Sequence, residues 1–286
     1  MLARGGGPLP VVYRLGVSAF VCDGPAGHDW TALSRLPVRH YEIGTLHGAD
    51  TLEGTVETLR PGTFGIHWPL RVADGHDYHL LASSPEAFEV LLVRIRDSIT
   101  ATGTRYVLVH LGQRGEPWPD QVTVSRRLTD LAACAADLGV EIVLEPKESV
   151  AHGDGLSGFV ERLPVLPAGL ALCVDSNDWA SAGRHLRRGP ECLAGRAAYF
   201  HLHSLHVRPD SGGLYLHAPP WVAPGDDPPW PELRQPEAAD LEVMAERGRA
   251  VTVQIEVHPR YRARLPEAIA AVRAHLARLG WREVDG

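Results

Sequence analysis

The chain has 286 residues, of which 44% are hydrophobic and 22% charged, which excludes a disordered protein and leaves room for one large domain or two smaller ones. A formal charge of -7 and a sequence pI of about 6.1 speak against a nucleic-acid reader, whose binding face is usually basic. The four cysteines, Cys22, Cys134, Cys173 and Cys192, form no C-x-x-C pair, which excludes a zinc knuckle and a thioredoxin-like motif. A disulfide framework is not expected at this length. Arg14 interrupts the apolar run from Val11 to Val21, so that segment does not read as a signal peptide. No apolar stretch approaches the ~20 residues needed to span a membrane. The expectation is a soluble protein of a reducing, cytoplasmic compartment.

Apolar runs of strand length recur along the chain, at Tyr13–Phe20, Val38–Leu46, Gly62–Leu70, Arg105–Gly112, Val140–Glu145, Gly169–Asp175, Ala197–His203 and Ala250–Val257. Most are near-continuous rather than alternating, as expected of strands buried on both faces. Helical stripes separate them. Phe88, Leu91, Leu92, Ile95 and Ile99 form one, started by Ser84 and Pro85, because proline suits the first helical position. Leu128, Leu131, Ala135 and Leu138 form another, ended by Gly139, and Leu265, Ile269, Val272, Leu276 and Leu279 a third, ended by Gly280. Weaker helical stretches are expected around 51–60, 153–163, 179–194 and 237–247. Eight strand–helix units predict a parallel sheet that closes on itself as a single (β/α)8 barrel spanning residues 1–286. An open doubly wound sheet is the competitor, and no G-x-G-x-x-G follows the first strand to support it. The longest irregular stretch, Ser204–Pro236, is rich in proline and follows the seventh strand. Such loops are usually lids or binding loops, and this one is expected over the functional face.

In such a barrel the C-terminal strand ends converge on one mouth. Seven of the eight runs end in Glu, Asp or His: Glu42, His67, His110, Glu145, Asp175, the pair His201 and His203, and Glu256. A single such residue merely marks where burial stops. Several carboxylates brought together repel one another and are costly to desolvate, and a divalent cation is the usual remedy. Carboxylates with imidazole suit one Mn²⁺, Mg²⁺, Co²⁺ or Zn²⁺. Asp23, His28, His47, His185 and His275 read as surface residues. His258 either supports the site or caps the last strand.

These strand ends resemble the xylose isomerase-like, or AP-endonuclease-type, TIM-barrel superfamily of sugar isomerases and epimerases, over essentially the whole chain. The third strand of that family ends in His-x-Pro, as in His67-Trp68-Pro69, and its fourth in His-x-Gly, as in His110-Leu111-Gly112. The resemblance implies Glu145, Asp175, His201 and Glu256 as metal ligands, with His203 the alternative to His201. Asp178 stands where the family usually has a histidine after Asp175-Ser176-Asn177. The endonuclease-type Asp-x-His falls at Tyr215-Leu216-His217, where the Asp is missing. Leu170–Ser176 and His201–His217 also resemble mannonate dehydratase, whose metal-binding Cys corresponds to Cys173. Asp175 lies nearer the mouth on the same strand face and is preferred as ligand, with Cys173 a packed core thiol.

The resemblance further implies proton transfer beside a carbonyl, with Glu145 and Glu256 as the acid–base pair. His67, His110, His203 and Arg208 are the candidates for holding substrate. The expected function is a metal-dependent isomerase or epimerase of a sugar, cyclitol or related hydroxy-carbonyl compound. The alternatives are a dehydratase-like lyase on a sugar acid, an AP-endonuclease-like phosphodiester hydrolase, and a non-catalytic ligand-binding barrel. The expected partner is a small molecule, with neither nucleic acid nor membrane; a homo-oligomer is left open.

Overall fold

The computed structural model describes residues 10–22, 29–45, 51–71, 84–111, 120–146, 165–176, 193–207, 215–222 and 232–284. In chain order the strands are β1 (Val12–Ser18), β2 (His40–Thr45), β3 (Thr63–Arg71), β4 (Tyr106–His110), β5 (Glu141–Glu145), β6 (Leu170–Asp175), β7 (Ala197–Leu202), β8 (Ser204–Val207), β9 (Tyr215–Ala218), β10 (Glu232–Arg234), β11 (Ala250–Ile255) and β12 (Arg282–Glu283). β1 to β7 lie side by side in sequence order, β11 pairs with β7, and β11 also pairs in parallel with β1. The sheet is therefore a closed, parallel, eight-stranded barrel with helices between strands, a (β/α)8 fold. β12 has no counterpart among the eight expected runs; it lies beside the start of β1, with Val12 opposite Arg282.

The helices are α1 (Trp30–Ser34), α2 (Leu52–Leu59), α3 (Pro85–Thr102), α4 (Gln121–Leu138), α5 (Ala238–Met244) and α6 (Leu265–Arg278). Their boundaries follow from capping chemistry. The Ser84 hydroxyl accepts from the Ala87 amide ahead of α3, and the Asp120 carboxylate accepts from the Thr123 amide ahead of α4. Gly139 ends α4 at φ 64°, a left-handed conformation that glycine adopts without a Cβ penalty. The short α1 has no long apolar stripe and escapes a periodicity search. The helical stretches expected at 153–163 and 179–194 lie almost wholly outside the described residues, as do Asp178 and Arg208.

The stretch 204–236, expected to be irregular, carries ordered structure among its described residues. β8 is the middle strand of a three-stranded antiparallel sheet between β10 and β9. The Ser204 hydroxyl donates to the Gln235 side-chain oxygen, which also accepts from the Trp221 amide, and the Trp221 indole donates to the Pro236 carbonyl. Trp221 stacks on His275 of α6, a partly exposed residue, with ring centroids 4.4 Å apart.

Two apolar cores result. The larger lies between strands and helices and includes Val17, Ile43, Ile66, Val107, Val109, Ile142 and Leu144 against Val56, Leu91, Ile95, Leu128, Leu131, Ile269 and Val272. The smaller lies inside the barrel and includes Tyr106, Leu108, Val143, Ala171, Cys173 and Tyr199. The alternation of strand side chains feeds the two cores from the same strands.

Candidate active site

Parallel pairing in register carries the strand-end residues to one level. His110 on β4 stands opposite Glu145 on β5, and Asp175 on β6 opposite His201 on β7. Glu256 comes directly after β11, where its amide donates to the Leu202 carbonyl and holds it beside the end of β7. Glu145 and His201 are 0% exposed and Asp175 2%, while the Glu256 side chain keeps 15% of its surface. Glu256 is thus the one of the three carboxylates that solvent or a ligand meets first.

His201 is the hub. Its Nδ1 lies 3.4 Å from Oε1 of Glu145 and 3.4 Å from Oε2 of Glu256. Its Nε2 lies 3.0 Å from Oε1 of Glu42, which comes from β2. The opposite side of Glu145 is taken by two imidazoles, with His67 Nε2 at 3.3 Å and His110 Nε2 at 3.0 Å from its Oε2. The His67 ring lies nearly parallel to that of His201, with centroids 5.4 Å apart, and edge-on to that of His110 at 4.7 Å. His203 points elsewhere: its Nε2 is 3.0 Å from Oδ1 of Asp175, and its ring stacks on His217 at 3.8 Å.

The electrostatics follow from burying acids and bases together. Burial alone would push the His201 pKa down, but the Glu42 and Glu145 carboxylates around it raise it well above the ordinary imidazole value. His67 is raised too, because Glu145 beside it outweighs its desolvation. Burial acts to raise the Glu42 carboxyl, yet His201, His67 and the Tyr106 hydroxyl hold it down at about 2. Burial pushes the Cys173 thiol up to about 12, so it sits protonated near neutral pH.

The same residues fit a divalent ion. The ligand atoms of Asp175, His201 and Glu256 lie within 4.8 Å of one another, as do those of Glu145, Cys173 and His201. Donors bound at about 2.0–2.2 Å around one ion stand roughly 3–3.5 Å apart, the spacing found from His201 Nδ1 to both glutamates. Both buried ring nitrogens of His201 stand against carboxylates without completing a hydrogen bond, and Nδ1 is the one that faces two carboxylates at once. His67, His110 and Glu145 form a further group within the same 4.8 Å limit.

No family model matches the chain, and no curated protein does. Solved structures match it over nearly its whole length at low identity. An L-ribulose 3-epimerase is 16% identical, with a TM-score of 0.61 over 94% of this chain and 96% of that one. The fold is that of the xylose isomerase-like TIM barrels. A D-tagatose 3-epimerase-like protein has a TM-score of 0.60 at 16% identity, over 93% of this chain and 98% of that one. The IOLI protein, solved with a zinc atom, has a TM-score of 0.59 at 13% identity, over 93% of this chain and 97% of that one. A xylose isomerase-like TIM barrel/4-hydroxyphenylpyruvate dioxygenase fusion protein matches 94% of this chain at 13% identity and TM-score 0.59, and the chain spans 45% of its length.

Within this barrel, Glu145, Asp175, His201, Glu256, His67, His110 and His203 gather at one mouth, while Arg208 lies outside the described residues. His258 caps the helical turn Pro259–Arg264 beyond the last barrel strand: its Nδ1 accepts from the Arg260 amide at 3.3 Å. Two members of the site are not evident from the sequence. Glu42 is visible as the polar end of its strand, yet nothing in the sequence links it to His201. His217, on β9, has its Nδ1 3.8 Å from Oε1 of Glu256, a neighbour that no spacing along the chain reveals. Among the described residues no helix is long and apolar enough to cross a membrane, and Cys22, Cys134 and Cys173 are buried and outside any disulfide.

Proposed function

We propose that the protein is a divalent-metal-dependent isomerase or epimerase that moves a proton beside the carbonyl of a sugar, cyclitol or related small hydroxy-carbonyl compound. The observation that carries this is His201 Nδ1 at 3.4 Å from both Glu145 and Glu256, with a ligand oxygen of Asp175 grouped with His201 and Glu256. Glu145, Asp175, His201 and Glu256 would hold the ion; when bound, it polarises the carbonyl and stabilises negative charge developing on oxygen. Glu256, the more exposed of the two glutamates, is placed to take the α-proton and exchange it with solvent. Glu145 is the group that returns a proton from the other side, with His67 and His110 on its Oε2 able to replace what it gives up. The same two imidazoles border the mouth and can donate to substrate hydroxyls. The epimerases among the solved structures of this fold agree with the reading.

The test is isotope exchange. Offered a panel of ketoses, inositols and uronates in deuterium oxide, the ion-loaded protein should wash deuterium into the α-position of its substrate. Glu145→Gln and Glu256→Gln should each slow exchange by ~10²–10⁴-fold with the ion restored to saturation. Wild-type exchange in both variants would reduce the glutamates to ligands and remove the proton-transfer mechanism.

One observation favours a second reading. His67, His110 and Glu145 could hold another ion, and two ions sharing a carboxylate would suit phosphodiester hydrolysis. Two equivalents of ion per chain, with cleavage of an abasic duplex, would move the assignment there. The acidic net charge weighs against it.

A further inference from the structure

Glu42 is a fully buried carboxylate below the mouth to which the proposed chemistry gives no part. Both its oxygens face polar groups inside the barrel, one as an ion-pair contact without an aligned hydrogen bond and one as a hydrogen-bond acceptor. Oε1 lies 3.0 Å from Nε2 of His201, and Oε2 accepts from the Tyr106 hydroxyl at 2.8 Å. That hydroxyl accepts in turn from the Gln254 amide at 3.1 Å and lies 3.3 Å from Nε2 of His40, whose Nδ1 is 2.8 Å from the Thr63 hydroxyl. The barrel makes room for this chain of groups with two glycines. A Cβ at Gly65 would stand 2.1 Å from the Tyr106 ring, and one at Gly16 would stand 2.3 Å from the Gln254 side-chain oxygen. Burying a charged carboxylate costs several kcal/mol unless it is paired, and a core of this size could be filled with apolar side chains instead. A fold that keeps the charge, and clears space for the groups that support it, uses it for something other than packing.

We infer that Glu42 is a positioning residue for His201: it holds the proton on Nε2 and so turns Nδ1 toward Asp175, Glu145 and Glu256. The reason is the two-nitrogen chemistry of imidazole. A neutral ring carries one N–H and one lone pair; carboxylates face both nitrogens, and the closer one, Glu42 at 3.0 Å against 3.4 Å for the two glutamates, draws the N–H to its side. The lone pair is then on Nδ1, which faces the two glutamates at 3.4 Å. A carboxylate behind a ligating imidazole also makes it a stronger donor. The inference rests on the reading of His201 as an ion ligand only for its consequence in metal affinity; the orientation of the ring is independent of that reading.

The test uses the full chain as wild type, Glu42→Gln and Tyr106→Phe, with zinc and cobalt(II) as probes. Two readouts are taken: ion affinity by competition with a chromophoric chelator, and the imidazole N–H resonances of ¹⁵N-histidine-labelled, metal-free protein. His201 is assigned by the resonance lost in His201→Gln. The wild type should show a slowly exchanging, strongly downfield His201 Nε2–H, shifted upfield or lost in Glu42→Gln. Zinc affinity should fall by ~10–100-fold in Glu42→Gln, and by less in Tyr106→Phe, which leaves the Glu42–His201 contact but removes a donor behind it. The cobalt(II) absorption bands should keep their positions, since the ligand set is unchanged. Unchanged affinity with an unchanged resonance would make Glu42 a packing residue and overturn the inference. An altered cobalt(II) spectrum in Glu42→Gln would make it a ligand in its own right, a role the grouping of Glu42, His67 and His201 within 4.8 Å would allow, and would overturn it equally. If the wild type binds neither ion while the resonance behaves as expected, the metal-dependent function fails and the positioning of His201 by Glu42 stands.

Discussion

The barrel strands build two interiors of opposite character. On the outward side Val17, Ile43, Ile66, Val107, Val109, Ile142 and Leu144 meet an equally apolar helix face. On the inward side the small apolar floor around Leu108, Val143 and Ala171 gives way to His40, Glu42, Tyr106, Gln254, Glu145 and His201, all nearly or fully buried. The outward interior has one requirement, that volumes fit, and hydrophobic residues of the right size meet it in many combinations. The inward interior must pair each buried donor and acceptor, and a partner lost there leaves a neighbour unsatisfied. Stability is therefore expected to track the shell, and chemistry the interior.

The sharpest way to break that division is a change at the mouth that removes function without unfolding. Glu256→Gln should lose most of the divalent ion by elemental analysis and slow proton exchange by ~10²–10⁴-fold. Its urea midpoint in chelator should stay at the wild-type value, because the side chain is partly exposed and no buried charge is stranded. Full ion occupancy in that variant would remove Glu256 from the ligand set. The converse change is Leu131→Ala in the shell, where the side chain is 0% exposed. It should cost about 2–5 kcal/mol in urea unfolding while the folded fraction keeps its ion. Ion loss in proportion to the stability loss would join the two interiors into one cooperative unit.

Acid probes the inward side through its buried titratable groups. Burial pushes the His40 pKa from 6.5 to about 3, so the unfolded chain takes up this proton as pH falls through 6.5 and the folded chain does not. The stabilisation that comes from His40 staying neutral is complete above pH 6.5 and drains away between 6.5 and 3. Glu42, held at about 2 against an ordinary 4.5, adds a loss in the same direction between pH 4.5 and 2. The unfolding free energy from urea titrations in chelator should thus fall by several kcal/mol from pH 7 to pH 4, and His40→Gln should flatten the part above pH 4.5. A slope identical in that variant would remove His40 as its source. The smallest effect is expected on the surface, where Arg96 and Asp137 join α3 to α4 at 3.4 Å with both side chains about half exposed. Asp137→Asn should change stability by less than about 1 kcal/mol and not alter activity.

Much of this was legible in the chain because parallel barrel strands write themselves plainly. β4, β6 and β7 are buried on both faces and read as unbroken apolar runs, and α3 and α4 carry their caps in Ser84, Asp120, Gly103 and Gly139. The antiparallel sheet of β8, β9 and β10 was not legible, since its strands are three or four residues long and set among prolines. The stacking of Trp221 on His275 was equally hidden, because it joins that excursion to a helix far along the chain.

At the site, sequence alone determined which residue types would stand at the mouth. A polar residue that closes an otherwise apolar run stands out whether or not burial ends there, so Glu145, Asp175, His201 and Glu256 announce themselves by interrupting apolar runs. It could not determine who faces whom. His201 and His203 lie two apart and share a strand face, so period alone leaves them equivalent. Closure of the barrel separates them, setting His201 between Glu42, Glu145 and Glu256 and His203 against Asp175 and His217. The physical reason is range. Propensity, periodicity and capping act over a few residues, whereas the contact from Glu42 to His201 crosses the barrel and exists only when eight strands have closed around it.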